Sequence, residues 1–334
     1  MQAGVTFSRL RGSWVAVASA AMVACAMRPA AAQDKYPSKP VRIIVPFAPG
    51  GGADISARVI SQKLSERLGQ QHVVENRPGA GGNLGVELAA KAPPDGYTLL
   101  LVSSSYGANP SLYKLSFDPV NGFEPITLVS QQPFIAVVHP SLPVKSIKEL
   151  IALARAKPAE LSFASSGAGG IQHLALEFFK SAAGVNILHV PYKGGATAHT
   201  DLIAGYVQMT FGTILSTLTM VTTRQLRALA VTTAQRSPTL PETPTMIEAG
   251  VPGYVVTGWY AVLAPRTTPK PVTTLLHREI VALLQAQDVK ERLAKEGSTV
   301  LASTPEELTR HLRAEIAKWE KVTRTAGIRL EATR

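Results

Sequence analysis

The stretch Val41–Leu68, VRIIVPFAPGGGADISARVISQKLSERL, constrains this chain more than any other. Val41–Phe47 is a short apolar run that reads as a buried strand. Asp54–Leu68 reads as an amphipathic helix with Ile55, Val59, Leu64 and Leu68 roughly on one face. Pro49, Gly50, Gly51 and Gly52 lie between them, where glycine lets the backbone turn sharply and leaves its N–H groups uncovered. Those groups open a helix N-terminus, the positive end of its macrodipole, so the unit suits an anion. A simple tight turn uses the same residues, and the rest of the chain must decide.

Further along, the unit recurs. His72–Glu75 reads as a strand, Arg77–Asn83 as a glycine-rich loop, Leu84–Ala92 as a helix and Tyr97–Ser104 as a third strand. Repeated strand–loop–helix order implies parallel strands with helices on both faces. Ser104 and Ser105 then fall at the carboxyl end of a strand, where open α/β sheets bind ligands. Ile126–Val129 and Phe134–His139 are two apolar runs split by Ser130-Gln131-Gln132-Pro133, which reads as a crossing between domains. Ser146 and Glu149 form a capping box for a helix over Ile147–Ala156. Leu161–Ser165, the loop Gly167-Ala168-Gly169-Gly170 and the helix Ile171–Ala183 repeat the opening unit, with Gly184 as the helix stop. Strands are expected at Ile187–Tyr192, Tyr206–Phe211, Leu226–Thr232 and Tyr254–Ala264, with the return crossing near Gly258. The tail is helical, ending in a helix capped by Thr304 that stops at Gly327. The expected domains are 33–131 plus 258–334, and 132–257. If their glycine loops face each other, two positive helix ends converge on one cleft.

The first residues are not expected in the fold. Arg9 and Arg11 precede the apolar or small run Gly12–Met27, and Ala30-Ala31-Ala32 offers a cleavage site before Gln33. That order is a secretory signal peptide over residues 1–32. The only cysteine, Cys25, leaves with it; Met22 stands where a lipoprotein signal prefers Leu, which disfavours lipidation. Three of the 34 basic residues also leave, so the formal charge falls from +11 to +8. The remaining Lys and Arg are scattered, without a basic block or an aromatic RNA motif, which argues against nucleic acid and suits anionic solutes, an anionic surface, or simply a solvated basic face without function.

Catalytic patterns are missing. There is no Walker loop, no zinc-protease helix, no full dinucleotide fingerprint and no nucleophile elbow. The seven histidines show no metal-ligand spacing. No catalytic residue, metal or cofactor is expected. His173, on the first turn after Gly169 and Gly170, reads as a hydrogen-bond donor that orders that loop. A secreted serine hydrolase is the rival, with a Ser of 103–105 or 165–166 paired to a histidine near His173.

Four segments carry a family likeness. They are Tyr36–Arg42 with Pro46–Asp54; Val74–Asn83 through Pro94–Thr98; Ser165–Leu174; and His189–Gly194 with Asp201. Spread over nearly the whole chain, they resemble the extracytoplasmic solute-binding proteins of tripartite tricarboxylate transporters, the Bordetella uptake (Bug) family. The resemblance implies an α/β two-lobed, type II-like periplasmic flytrap with a ligand cleft between two parallel-sheet domains. It implies a small carboxylate or related organic anion, held by loop N–H groups, hydroxyls and waters. It also implies delivery to a two-subunit membrane permease, or presentation to a sensor, by a periplasmic monomer. The residues it places at the ligand are Phe47, Gly50, Gly51, Gly52, Ala53, Asp54, Ser104, Ser105, Ser165, Ser166, Gly169, Gly170, His173, Tyr192, Lys193, Gly194, Asp201 and Trp259. Ala53 and Gly170 stand where relatives often carry a hydroxyl residue, which bears on ligand identity.

Overall fold

In the computed structural model, residues 1–4, 36–192, 195–295 and 297–328 are described. The apolar run of the expected export signal, its cut after Ala32, and Cys25 lie outside them, as do Lys193 and Gly194. Ten strands among the described residues form one mixed sheet: β1 (Val41–Val45), β2 (His72–Asn76), β3 (Thr98–Ser103), β4 (Phe123–Val138), β5 (Ser162–Ser165), β6 (Leu188–Pro191), β7 (Met209–Thr213), β8 (Arg227–Val231), β9 (Thr257–Pro265) and β10 (Thr299–Val300). The order is β2-β1-β3-β9-β4-β7-β5-β6, with β8 and β10 also on β4.

Parallel pairing holds within each half, β2 and β3 on β1, and β6 and β7 on β5. The halves are joined by antiparallel strands, which strand–loop–helix order alone does not reveal. β4 pairs β9 from Phe123 to Pro133, then β7 and β8 from Phe134 and Ile135 onward. The two apolar runs expected around Ser130–Pro133 are therefore one strand of 16 residues. Pro133 has no N–H to donate, and it sits where β4 changes partners, so the ladder tolerates it. The crossing is polar inside. Gln132 donates from Nε2 to the Tyr260 hydroxyl at 2.8 Å and accepts from Ser298 Oγ at 3.2 Å.

Each half has its own core. Ile44, Val86, Leu100, Val102 and Trp259 form one, and Leu150, Phe163, Leu174, Phe179, Phe211 and Tyr254 the other. The terminal helix, Pro305–Ala326, serves both: Leu308 and Leu312 join the first core, Trp319 and Val322 the second. It starts with the expected Thr304–Glu307 capping box and stops at Gly327 in the left-handed conformation. A helix over Ile214–Thr222 was not anticipated, because its β-branched residues favour strand locally; the Thr213 hydroxyl caps it.

Between the cores, Glu315 is buried, and its Oε2 accepts the indole N–H of both Trp259 and Trp319 at 3.1 Å. Lys318 supplies the counter-charge. Glu315→Ala leaves two buried indole donors unpaired and is expected to lower the unfolding free energy by about 3 kcal/mol. Glu315→Gln, which keeps an acceptor, is expected to lose less. Urea denaturation followed by tryptophan fluorescence reads both.

Candidate ligand-binding site

The first glycine loop is shaped by one carboxylate. Asp54, on the opening turn of helix Gly52–Leu68, accepts the Gly50 N–H at 3.0 Å, Arg58 Nε at 2.8 Å and Asn76 Nδ2 at 3.0 Å. Asn76 also donates to the Phe47 carbonyl, tying β2 to the loop. Burial by itself would raise the Asp54 carboxyl, but these hydrogen bonds and the Arg58 charge hold it below the usual carboxylate range. Gly50 turns at φ +84, and any side chain at Gly52 would overlap the Tyr260 hydroxyl.

A second loop, Pro78–Gly82, lies beside it. Gly79, Ala80, Gly81 and Gly82 all have positive φ. Asn109 holds this loop by donating to the Gly81 carbonyl at 3.1 Å and to Asn83 Oδ1 at 2.7 Å. The Tyr113 ring and hydroxyl cover Gly81, where a Cβ would come within 3.0 Å of the phenol oxygen.

The third loop belongs to the other half. Between β5 and helix Ile171–Ala183, Gly167 and Gly169 have positive φ. Its N–H groups are partly used internally. Ser166 N–H donates to Gln172 Oε1, Gly167 N–H to Ser165 Oγ, Gly169 N–H to His173 Nδ1 and Gly170 N–H to the Gly167 carbonyl.

These loops meet across a hollow of about 260 Å³. One wall is Pro46, Phe47, Ala48, Pro78, Gly79, Gly81, Gly82, Ser105 and Tyr113; the other is Ser166, Gly167, Ala168, Gly169 and Gly170. Of the residues expected at the ligand, Phe47, Ser105, Ser166, Gly169 and Gly170 line it. Gly50, Gly51, Gly52, Ala53 and Asp54 do not; they set the turn and packing behind Phe47. Ser104 and Ser165 are buried. Tyr192 and Asp201 bond each other, hydroxyl to Oδ2 at 2.7 Å, and burial followed by Asp201 pushes the phenol up to about 12.

Trp259 is a correction. It is fully buried, its ring T-stacked with His311 and its N–H on Glu315, so it belongs to the core and lines no part of the hollow. His173 orders its loop as an acceptor, where a donor was expected. The loop Gly79–Gly82 and Tyr113 were missed. The glycine run after β2 was the available signal for the loop; nothing local marked Tyr113.

Of the serines expected to pair with a histidine, Ser165 does so, its Oγ lying 2.7 Å from His189 Nε2. The pair is formed by His189 and not by His173, and its serine is wholly buried. Among the described residues no group of three or more His, Cys, Asp or Glu is placed to hold a metal, and no helix is long and apolar enough to cross a membrane.

Two sheet halves joined by crossing strands, each sending glycine loops to a common hollow, define a two-lobed, type II-like solute-binding fold. Residues 56–328 match the tripartite tricarboxylate transporter family receptor, and the chain belongs to that family of periplasmic binding proteins. BugT of Bordetella pertussis is 38% identical over 301 residues, covering 89% of this chain and 92% of BugT. A solved structure of an R. palustris protein with adipate is 40% identical, covers 88% of this chain and all of that one, and gives a TM-score of 0.80. MatC of Rhodopseudomonas palustris with bound malate is 30% identical, covers 86% of this chain and 99% of MatC, and gives 0.77. The chain is a solute-binding receptor of the tricarboxylate-transporter type.

Asp54→Ala removes the acceptor shared by the Gly50 N–H, Arg58 and Asn76 behind Phe47. A loss of about 2 kcal/mol in stability is expected, together with faster amide exchange at Gly50, measured by hydrogen–deuterium exchange.

Proposed function

We propose that this receptor captures a small carboxylate in the hollow between Phe47–Ala48 with Gly79–Gly82 and Ser166–Gly170, and hands it to a two-subunit permease. The observation that carries the reading is the hollow itself, bounded by glycine loops from both sheet halves. Among its described lining residues there is no Lys or Arg, so the anion is held by main-chain N–H groups, the Ser105 and Ser166 hydroxyls and the Tyr113 phenol. The N-terminus of helix Ile171–Ala183 adds about 0.3–1 kcal/mol toward negative charge. A volume near the lower end for small-molecule sites suits a compact acid. Adipate and malate in the two related structures are of that class. Ala53 lies behind the wall, whereas Gly170 is in it, so of the two departures from the family pattern Gly170 bears on specificity.

The lobes in this reading are residues 33–131 with 258–334, and 132–257. They close about the points where β4 and β9 cross, at Gln131–Gln132 and Thr257–Gly258. The protein works as an exported, non-catalytic monomer, cut after Ala32.

Isothermal titration of protein unfolded and refolded to strip any copurified ligand is the test. At least one acid from a panel of mono-, di- and tricarboxylates is expected to bind with one-to-one saturation, and small-angle scattering is expected to show compaction. A flat response to the whole panel would overturn the reading. Gly167→Ala places a side chain at φ +149 on the hollow's wall, and is expected to weaken the bound acid by about tenfold.

A further inference from the structure

Beneath the Ser165–Gly170 loop two imidazoles lie face to face. His173 and His189 have ring centroids 3.9 Å apart and planes 6° apart. Each ring is engaged on one nitrogen. His173 Nδ1 accepts the Gly169 N–H at 3.1 Å, so its own proton is on Nε2, which points toward Glu177 at 3.9 Å. Ser165 Oγ accepts the Gly167 N–H at 3.2 Å and lies 3.1 Å from the Gly167 carbonyl. A hydroxyl has one hydrogen. That hydrogen goes either to the Gly167 carbonyl, with His189 Nε2 donating to Ser165 at 2.7 Å, or to a His189 Nε2 that accepts. The loop geometry therefore specifies a neutral His173 with its proton on Nε2, stacked on a His189 that is bonded to Ser165.

We propose that His173 and His189 are a positioning pair, which in its neutral form holds the Ser165–Gly170 loop in its anion-holding shape and releases it when His173 takes up a proton. The proposal rests on the reading of that loop as one wall of the ligand site. The added proton goes to Nδ1, which then faces the Gly169 N–H donor to donor. It also places a charge against the second imidazole. Gly169 and Gly167 lose their anchors together, because both hydrogen bonds lie in one short loop.

The surroundings favour the neutral pair. Burial lowers His173 below the ordinary histidine value, with Glu177 opposing and Lys180 adding to the effect. Burial, then His173, then Lys180, lower His189 to about 4. Glu177 and Lys180 sit on the same helix as His173 and bond each other at 2.8 Å. β5 brings the neutral Ser165. From β7 comes the Phe211 carbonyl, which accepts from Gln172, and the terminal helix brings Trp319 and Val322 to the shared core. Both rings bind fewer protons folded than unfolded, so their neutral state is favoured down to a pH below about 6.5, and lost as pH falls further.

The test compares the full chain with His173→Asn, which offers an acceptor oxygen near the place of Nδ1 and does not titrate, and with His173→Ala, which offers none. The first arm follows the Gly169 amide of ligand-free protein by NMR between about pH 7.5 and about pH 4.5. In the unaltered protein that resonance is expected to move with the His173 ring, and in His173→Asn to stay fixed. The second arm titrates adipate. At about pH 7.5, His173→Asn is expected to bind within about threefold of the unaltered protein and His173→Ala about tenfold more weakly. At about pH 5 the unaltered protein is expected to lose a further several-fold relative to His173→Asn, a ratio that cancels the acid's own protonation. A Gly169 amide indifferent to the His173 titration overturns the proposal, and so does equal binding by the Ala and Asn variants. Should adipate bind to none of the three, the second arm is run with an acid of the panel that does bind; a flat response to the whole panel fails the ligand reading, while the NMR arm still decides the role of the pair.

Discussion

The backbone hydrogen bonds between β4 and β9 hold this protein together. These two strands lie at the middle of the sheet, and among the described residues β4 is the one element that pairs with strands of both halves. Sixteen residues of extended chain reach about 50 Å, long enough to serve two sheets in succession. The exchange of partners falls at Pro133 and Phe134. A hydrogen-bonded chain of Ser298, Gln132 and Tyr260 fills the crossing where apolar packing would otherwise be expected. Satisfied polar groups in a buried place accept few geometries, so they specify how β4 meets β9 more narrowly than interchangeable aliphatic contacts.

Local pattern was enough for the elements whose signals are local. The two strand–glycine–helix units, the Ser146 and Thr304 caps and the stops at Gly184 and Gly327 follow from residues within a turn or two of each other. Elements governed by distant partners were hidden. Ser130-Gln131-Gln132-Pro133 resembles a loop until Trp259 and Gly258 are laid beside it. An apolar run such as Tyr254–Ala264 announces a buried strand, yet says nothing about its direction, and the antiparallel insertion of β9 between β3 and β4 went unseen for that reason.

At the hollow the same division applies. The glycines were legible as glycines, while their separate purposes were not. Gly52 makes room for a phenol from β9, Gly81 for Tyr113, and Gly167 supplies a backbone angle. Trp259 carries the composition of a cleft wall and the environment of a core residue, and only its partners distinguish the two. For the third loop only His173 was expected to supply an ordering hydrogen bond. In fact side chains behind it, Ser165, Gln172 and His173, occupy several of its N–H groups and set its shape.

The terminal helix is seated by Leu308 and Leu312 at one end and by Trp319 and Val322 toward the other, in the cores of different halves. A rod of 22 residues is stiff over its length of about 33 Å. When two bodies gripped by one rod swing apart, the rod must flex, slide, or lose its hold on one of them. Under the lobe closure proposed above, the tail would act as a leaf spring across the joint. Its tension would then enter the energy difference between open and shut jaws, so that residues far from the hollow would contribute to how firmly an acid is retained.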